Sequence, residues 1–422
     1  MELTAESPSI LHRSNFSLGA GRPCYIEPYR NFLMPRLLIL LLTVLFIGIL
    51  TLWVPAYWPV ALFQIGALAL CAAALLGDSD AGRKTFSLPG VAFALAAGMS
   101  CWQLAFHRTV DQYETTLATL AWVSLLALYV GGRSLFTSAH ARSLFRKSVC
   151  WFAFVVSVEA TLQTFTSEGK IFWFFPSGYT DNVMGPIIYR NHYAAWIELI
   201  FPIALFEAFR SRRNALLYAG MAAALYASVI ASASRAGTIL CTAELILIPL
   251  LVIFRGLAPG RDVGAVLAKI AVGFGVFTAV VGWETIWNRL MEPDPYFGRR
   301  EFMLSSLSMI GERPWLGWGL GSWPNVYPAY AIIDLGVYAN RAHNQWLEWA
   351  SDGGIPFALL LVAVALWSIR AGYRTVWGLG VVAVFLHCLV DYPFSRPPLA
   401  AWPIMIIALM AAAQANNNRA TD

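Results

Sequence analysis

Apolar residues fall in long blocks separated by short polar breaks. Runs able to cross about 30 Å of hydrocarbon at roughly 1.5 Å per residue lie near 37–53, 58–77, 86–106, 115–132, 148–165, 193–209, 214–231, 236–254, 264–283, 355–369, 375–390 and 398–414. This pattern predicts an all-α polytopic membrane protein with about twelve transmembrane helices and one long extracytoplasmic loop. The expected organisation is a tail over 1–36, helices one to nine over 37–283, the loop over 284–354, helices ten to twelve over 355–414 and a tail over 415–422.

Only the loop is patterned like a soluble segment. Met303, Leu307 and Ile310, at i, i+4 and i+7, predict one apolar helix face opposite Glu301, Ser305 and Ser308, with Pro314 ending the helix. Trp315, Trp318, Trp323, Tyr327 and Tyr330 follow among glycines, as suits chain lying in the headgroup layer. A second helix is expected from near His343 to Gly353 and Gly354, where the chain re-enters the membrane.

Composition agrees with lipid as the solvent. The chain is 58% apolar and 13% charged, against roughly 45–50% and 25% in soluble domains. A net charge of +5 spread over 422 residues excludes a disordered chain and a nucleic-acid module, so membrane lipids and no nucleic acid are expected as partners. The distribution of the 29 basic residues sets orientation. With the N-terminus inside, 19 fall on cytoplasmic segments and 10 outside, five of these in the long loop. Both termini are therefore expected in the cytoplasm. The polar chemistry is expected outside, in the 166–192 loop, the turn at Ser232 to Arg235, the long loop and the turn after His387.

Residues 1–36 carry Arg13, Arg22, Arg30 and Arg36 but no apolar core, so no cleavable signal peptide is expected there. Cys24, Cys71, Cys101, Cys150, Cys241 and Cys388 form no CxxC pair, and neither a zinc site nor a disulfide framework is expected; no metal or cofactor is implied.

Outer arginines are the most informative residues, because an interfacial anchor is served equally well by lysine. Arg235 sits in Ser-Ala-Ser-Arg-Ala-Gly, among neighbours small enough for an anion to approach; its plain alternative is an anchor. Arg299 and Arg300 open the loop helix, where the helix dipole adds to their charge, or else belong to a solvated face. His343, followed by Asn344 and Glu348, has the chemistry to take a proton from a hydroxyl near neutral pH, against the alternative of a surface histidine. Arg190 and His192, and His387 four residues before Asp391, are further candidates, with a structural role as the alternative for each histidine. Glu159, Glu198 and Glu244 lie inside apolar runs, where a carboxylate costs roughly 2.5 kcal/mol or more unless paired or wet.

Two glycine-rich segments carry less. Gly317 to Gly321 has the wrong spacing for a dinucleotide fingerprint. Gly77 to Lys84 resembles the cytoplasmic loop signature of major-facilitator transporters, shortened by two residues, and with twelve spans it keeps a transporter as an alternative. The short link between spans six and seven, and a long loop placed outside after span nine, stand against it.

Four patches together resemble the O-antigen ligase and O-antigen polymerase superfamily of bacterial membrane glycosyltransferases. They are Arg190-Asn-His-Tyr-Ala, Ser234-Arg235-Ala-Gly237, the block from Gly298-Arg299 to Arg313-Pro-Trp-Leu-Gly-Trp-Gly319, and Ala342-His343-Asn344 through Glu348 to Gly354-Ile-Pro356. His387 to Asp391 is similar to the family's closing stretch, while Met303 and Phe357 depart from its usual aromatic and glycine. The resemblance implies transfer of a glycan from an undecaprenyl-diphosphate-linked donor at the periplasmic face of the inner membrane, without nucleotide sugar or obligatory metal. It gives Arg235, Arg299 and Arg300 the diphosphate, and His343 the acceptor hydroxyl. Glu348, Glu159 and Glu198 are the carboxylates able to replace or assist that base, with Arg190, His192, His387 and Asp391 as additional site residues. Three acceptors stay open: lipid A core for a ligase, another lipid-linked glycan for a polymerase, and a protein hydroxyl for an oligosaccharyltransferase.

Overall fold

The computed structural model describes residues 26–77, 86–180, 183–282, 284–291, 297–333, 336 and 338–419. Helix dominates because hydrocarbon offers no partner for an open peptide group, and a helix satisfies its backbone internally. The first half comprises α1 (Ile26–Leu50), α2 (Trp58–Gly77), α3 (Leu88–Ala105), α4 (Gln112–Leu135) and α5 (Ala139–Thr166). A two-stranded antiparallel hairpin, β1 (Lys170–Ile171) with β2 (Phe175–Pro176), follows. Next come α6 (Arg190–Arg210), α7 (Ala215–Ala231), α8 (Arg235–Phe254) and α9 (Gly260–Val281). The loop contributes α10 (Glu284–Leu290), α11 (Phe297–Glu312) and α12 (Trp323–Val326). The chain closes with α13 (Gln345–Thr375), α14 (Gly380–His387) and α15 (Pro397–Arg419).

Every expected span is helical, and the protein is an all-α polytopic membrane protein. Ten helices among the described residues are long and apolar enough to cross a membrane. The expected seventh and eleventh spans are the shorter α7 and α14, of 17 and 8 residues. α1 starts at Ile26, so the end of the expected N-terminal tail is already helical.

α6 lies at the centre and is buried along nearly its whole length, packed against α5, α7, α8, α14 and α15. The peripheral α8 and α9 instead turn Ile239, Ile246, Leu250, Val272 and Val276 outward, which lipid accepts and water would not. A polar residue on α6 therefore has only other helices to answer it.

The loop folds onto the end of the bundle where α6 and α8 begin, around Phe302, Met309, Trp318, Trp323, Val326, Tyr327 and Ala342. Two of the three residues on each expected face of α11 are reversed, while Ser308 is exposed and Ile310 half-buried. Glu301 and Ser305 are buried, whereas Met303 and Leu307 are exposed. Glu301 accepts hydrogen bonds from Tyr327, from the Ile332 amide and from Ser305, so its carboxylate is satisfied inside the loop. Phe302 and Met309, not Met303 and Leu307, supply the packing.

Gln103 of α3 pins the loop. Its amide nitrogen donates to the carbonyls of Leu316 and Asp352 at 2.9 and 3.1 Å, and its carbonyl accepts from the Leu320 amide at 3.0 Å. The expected helix end at Gly353 and Gly354 is found: α13 consists of two helices that meet at a kink at the non-helical Gly354, φ 78° and ψ 168°. A β-carbon there would lie 2.4 Å from the Trp315 carbonyl, so the bend needs glycine twice over, for its torsion and for its space.

Candidate functional site

Residues distant in sequence meet where α6 and α8 start, α14 ends and α11 lies across them. Arg190, Asn191, Ala233, Arg235, Ala236, Arg299, His387 and Val390 line a pocket of about 350 Å³ that opens to solvent. Capping chemistry positions two of these groups. Ser234 is the N-cap of α8: its hydroxyl accepts from the Gly237 amide and donates to the side-chain Oδ1 of Asn191 at 2.9 Å, tying the start of α8 to the start of α6. Ala233 bends left-handed, φ 54°, to make this turn. Gly237 lets the helices approach, since a β-carbon there would lie 2.4 Å from that of Ala194. Arg235 and Arg190, each at the first position of its helix, are thus brought to one cavity.

Three arginines lining one small space carry like charge, and an anion set between them offsets the repulsion. Arg190, Arg235 and Arg299 form this set. Arg300 is exposed and does not line the pocket.

His343 stands beside the cavity. It precedes Asn344, whose side chain caps α13 by accepting from the Leu347 amide at 3.1 Å, and its own backbone is left-handed, φ 50°. That conformation costs a non-glycine residue of order 1–3 kcal/mol and points to a side chain held for a purpose. The ring stacks on Phe302, with centroids 5.8 Å apart, and meets Tyr392 edge-on. Its Nδ1 is 3.6 Å from Oδ1 of Asp391, slightly beyond hydrogen-bond length.

Asp391 is fully buried. Burial alone would raise its pKa, but His343 together with the nearby His192 and His387 outweighs it and holds the carboxyl below its usual value. Tyr189, whose hydroxyl is pushed up by burial and then by the Asp391 charge, donates to Oδ1 at 3.5 Å. His192 meets both rings of the Tyr189 and Tyr392 stack edge-on.

The remaining candidates separate. Glu348 accepts from Arg341 at 2.8 Å and from the Ala342 amide at 3.2 Å, bracing the chain just ahead of His343, and it does not line the cavity. Burial would lower the pKa of Arg341, but Glu348 reverses the direction. Glu198 is buried and meets Nδ1 of His387 at 2.8 Å. Glu159 lies against Gly185, away from the cavity lining. Glu244 is buried on α8, and neither carboxylate oxygen has a partner among the described residues.

His387 and Asp391, spaced as if on one helix face, do not share a helix: α14 ends at His387, and a turn returns the Asp391 amide to the His387 carbonyl at 3.0 Å. Sequence reasoning passed over Asn191, Tyr189, Tyr392 and Arg341. Asn191 had a signal, standing between Arg190 and His192; the tyrosines had none, because their role is to close around other rings.

Residues 219–362 match the family model described as O-antigen ligase. No curated protein matches the chain. The matched segment contains Arg235, Arg299, His343 and Glu348, and the rest of the cavity, from Arg190 to Asn191 and from His387 to Val390, is contributed by chain outside it. Over this segment, about a third of its length, the chain is similar to the O-antigen ligase family.

Proposed function

We propose that the protein is a glycosyltransferase that moves a glycan from a polyprenyl-diphosphate donor to an acceptor hydroxyl at the outer face of the bacterial inner membrane, in O-antigen ligation or surface-polysaccharide polymerisation. The observation that carries this reading is the convergence of Arg190, Arg235 and Arg299 on one cavity beside the His343 and Asp391 pair. The family match supports glycosyl transfer over transport.

The chemistry follows from charge. A diphosphate diester carries two negative charges, and arginine forks bind such oxygens in bidentate fashion. When the bond from the anomeric carbon to the phosphate oxygen breaks, its electron pair passes to that oxygen, and fixed guanidinium charge stabilises the transition state more than the ground state. The acceptor oxygen forms the new bond as its proton passes to His343. Asp391 faces Nδ1, so Nε2 is the nitrogen left to accept it, with the carboxylate orienting the ring and stabilising the imidazolium. Glu348 and Arg341 hold the segment from which His343 projects. The loop over the cavity limits access of water, which would otherwise compete as acceptor.

The direct test is transfer by purified enzyme from a labelled lipid-diphosphate donor. Arg235→Lys and Arg299→Lys keep the charge but lose the fork, and both should fold yet lose most transfer. Wild-type rates with both lysine variants would refute the diphosphate role.

A further inference from the structure

The arginine cavity has one ionisable lining residue that the reaction above does not use. His387 is fully buried, and its Nδ1 is engaged by the Glu198 carboxylate at 2.8 Å. Its Nε2 has no hydrogen-bond partner among the described residues, nor does the second oxygen of Glu198. A buried ring nitrogen left open costs roughly 1–3 kcal/mol. In a purely structural pair that loss has no return, yet His387 lines the same cavity as Arg190, Arg235 and Arg299.

We propose that His387 is a second catalytic residue, whose Nε2, aimed by Glu198 as a positioning residue, donates a hydrogen to the diphosphate as the glycosidic bond breaks. The inference rests on the function proposed above and assigns this pair the leaving group, while His343 serves the acceptor.

Proton counting makes it specific. When the pair holds one proton beyond the one on Nδ1, Nε2 carries a hydrogen, whether the pair is written as imidazolium and carboxylate or as imidazole and carboxylic acid. Without that proton, Nε2 presents a lone pair that repels phosphate oxygens. Binding of a doubly charged diester therefore selects the protonated pair. During transfer the departing lipid diphosphate gains one negative charge, which the Nε2 hydrogen neutralises. The proton taken from the acceptor by His343 goes to solvent, and the His387 pair regains one from solvent. The surroundings both oppose and favour the protonated pair: Arg190 on α6, Arg235 on α8 and Arg299 on α11 disfavour it, as does the neighbouring His192 if protonated. Asp391 in the following turn favours it, and Glu244 of α8 faces Glu198. The incoming diphosphate decides the balance.

The test is binding of farnesyl-diphospho-N-acetylglucosamine, a diester ionised throughout the neutral range, to full-length protein in detergent from about pH 6 to about pH 9. Wild-type affinity should fall roughly ten- to a hundredfold as Nε2 loses its hydrogen, the worth of one charge-assisted hydrogen bond. His387→Gln presents an amide hydrogen at every pH, so its affinity should be flat while its transfer rate drops, because an amide cannot release a proton. Glu198→Gln should move the wild-type midpoint to lower pH, which keeps the proposal testable if the first variant misfolds. Equal pH dependence in wild type and His387→Gln, or an unmoved midpoint in Glu198→Gln, would overturn the role of His387 even where binding depends on Arg235. Failure of wild-type protein to bind the diester at all would instead remove the underlying diphosphate reading, and this inference with it.

Discussion

One helix, α6, carries a buried glutamate in each half, and the two are answered differently. Glu207, near its C-terminus, accepts from Nε of Arg146 at 2.9 Å and lies 3.8 Å from Arg210. The Arg146 guanidinium is in turn covered by Phe206 and Trp377, 5.8 and 5.3 Å from the ring centroids. Every charge there is matched from within the protein. At the other end Glu198 meets only His387, polar atoms stay open, and positive charge from three helices lines a cavity. Buried ion pairs cost desolvation at either end. A closed pair spends that cost on architecture, whereas the open ring nitrogen of His387 and the second oxygen of Glu198 keep hydrogen-bonding capacity for a ligand.

The comparison breaks first at His343. A positioned base is worth about 10²–10⁴ in rate, so His343→Ala should abolish nearly all transfer in a purified assay while donor still binds. Retention of more than about a tenth of the wild-type rate would pass the role to a carboxylate. Asp391→Asn should cost roughly as much, because an amide neither orients the ring correctly nor stabilises its cation. The sign of its pH effect is set by its depressed pKa. A carboxyl depressed on folding contributes stability above its unfolded value of about 3.9 and loses it as pH falls through the folded value. Asp391 is then ionised throughout the neutral range, and Asp391→Asn should lower the height of the pH–rate profile without removing a limb near neutrality.

At the closed end the loss should be of stability alone. Arg146→Ala leaves buried Glu207 with only the longer contact to the exposed Arg210, which costs up to about 3–5 kcal/mol; thermal denaturation in detergent should show it, while transfer per folded molecule is unchanged. The double variant Arg146→Met with Glu207→Leu should recover most of that loss. A fall in specific activity with either would mean that the two ends are coupled through α6. The smallest effects sharpen the contrast. Ser234→Ala removes the cap that ties α8 to Asn191 and should cost about 1 kcal/mol together with weaker donor binding. Arg212→Lys should be silent, because its contact with Asp262 at 3.1 Å is exposed.

Much of the site was legible from local chemistry. Ser234 and Asn344 mark helix starts by residue type, and Arg235 and His343 stand next to them. Arg299 was legible as an arginine on a helix of the long loop. The face of α11 was not. Periodicity identifies an apolar stripe, and near lipid that stripe is free to point outward while Glu301 is satisfied by Tyr327 and the Ile332 amide. Glu198 illustrates the same limit, since a carboxylate in an apolar run announces that a partner exists without naming it.

The amino-acid sequence by itself determined the helices, their order and the segments rich in polar chemistry. These follow from backbone hydrogen bonds closed within each segment, from apolar length, and from caps that act over three or four residues. Only the tertiary structure decided that Arg190, Arg235, Arg299 and His387 share a cavity, that Glu198 aims His387, and that Glu348 braces the chain ahead of His343. Those pairings depend on how each helix rotates about its axis and how closely small residues such as Gly237 let neighbours approach, and such distances are settled by packing between segments far apart in the chain.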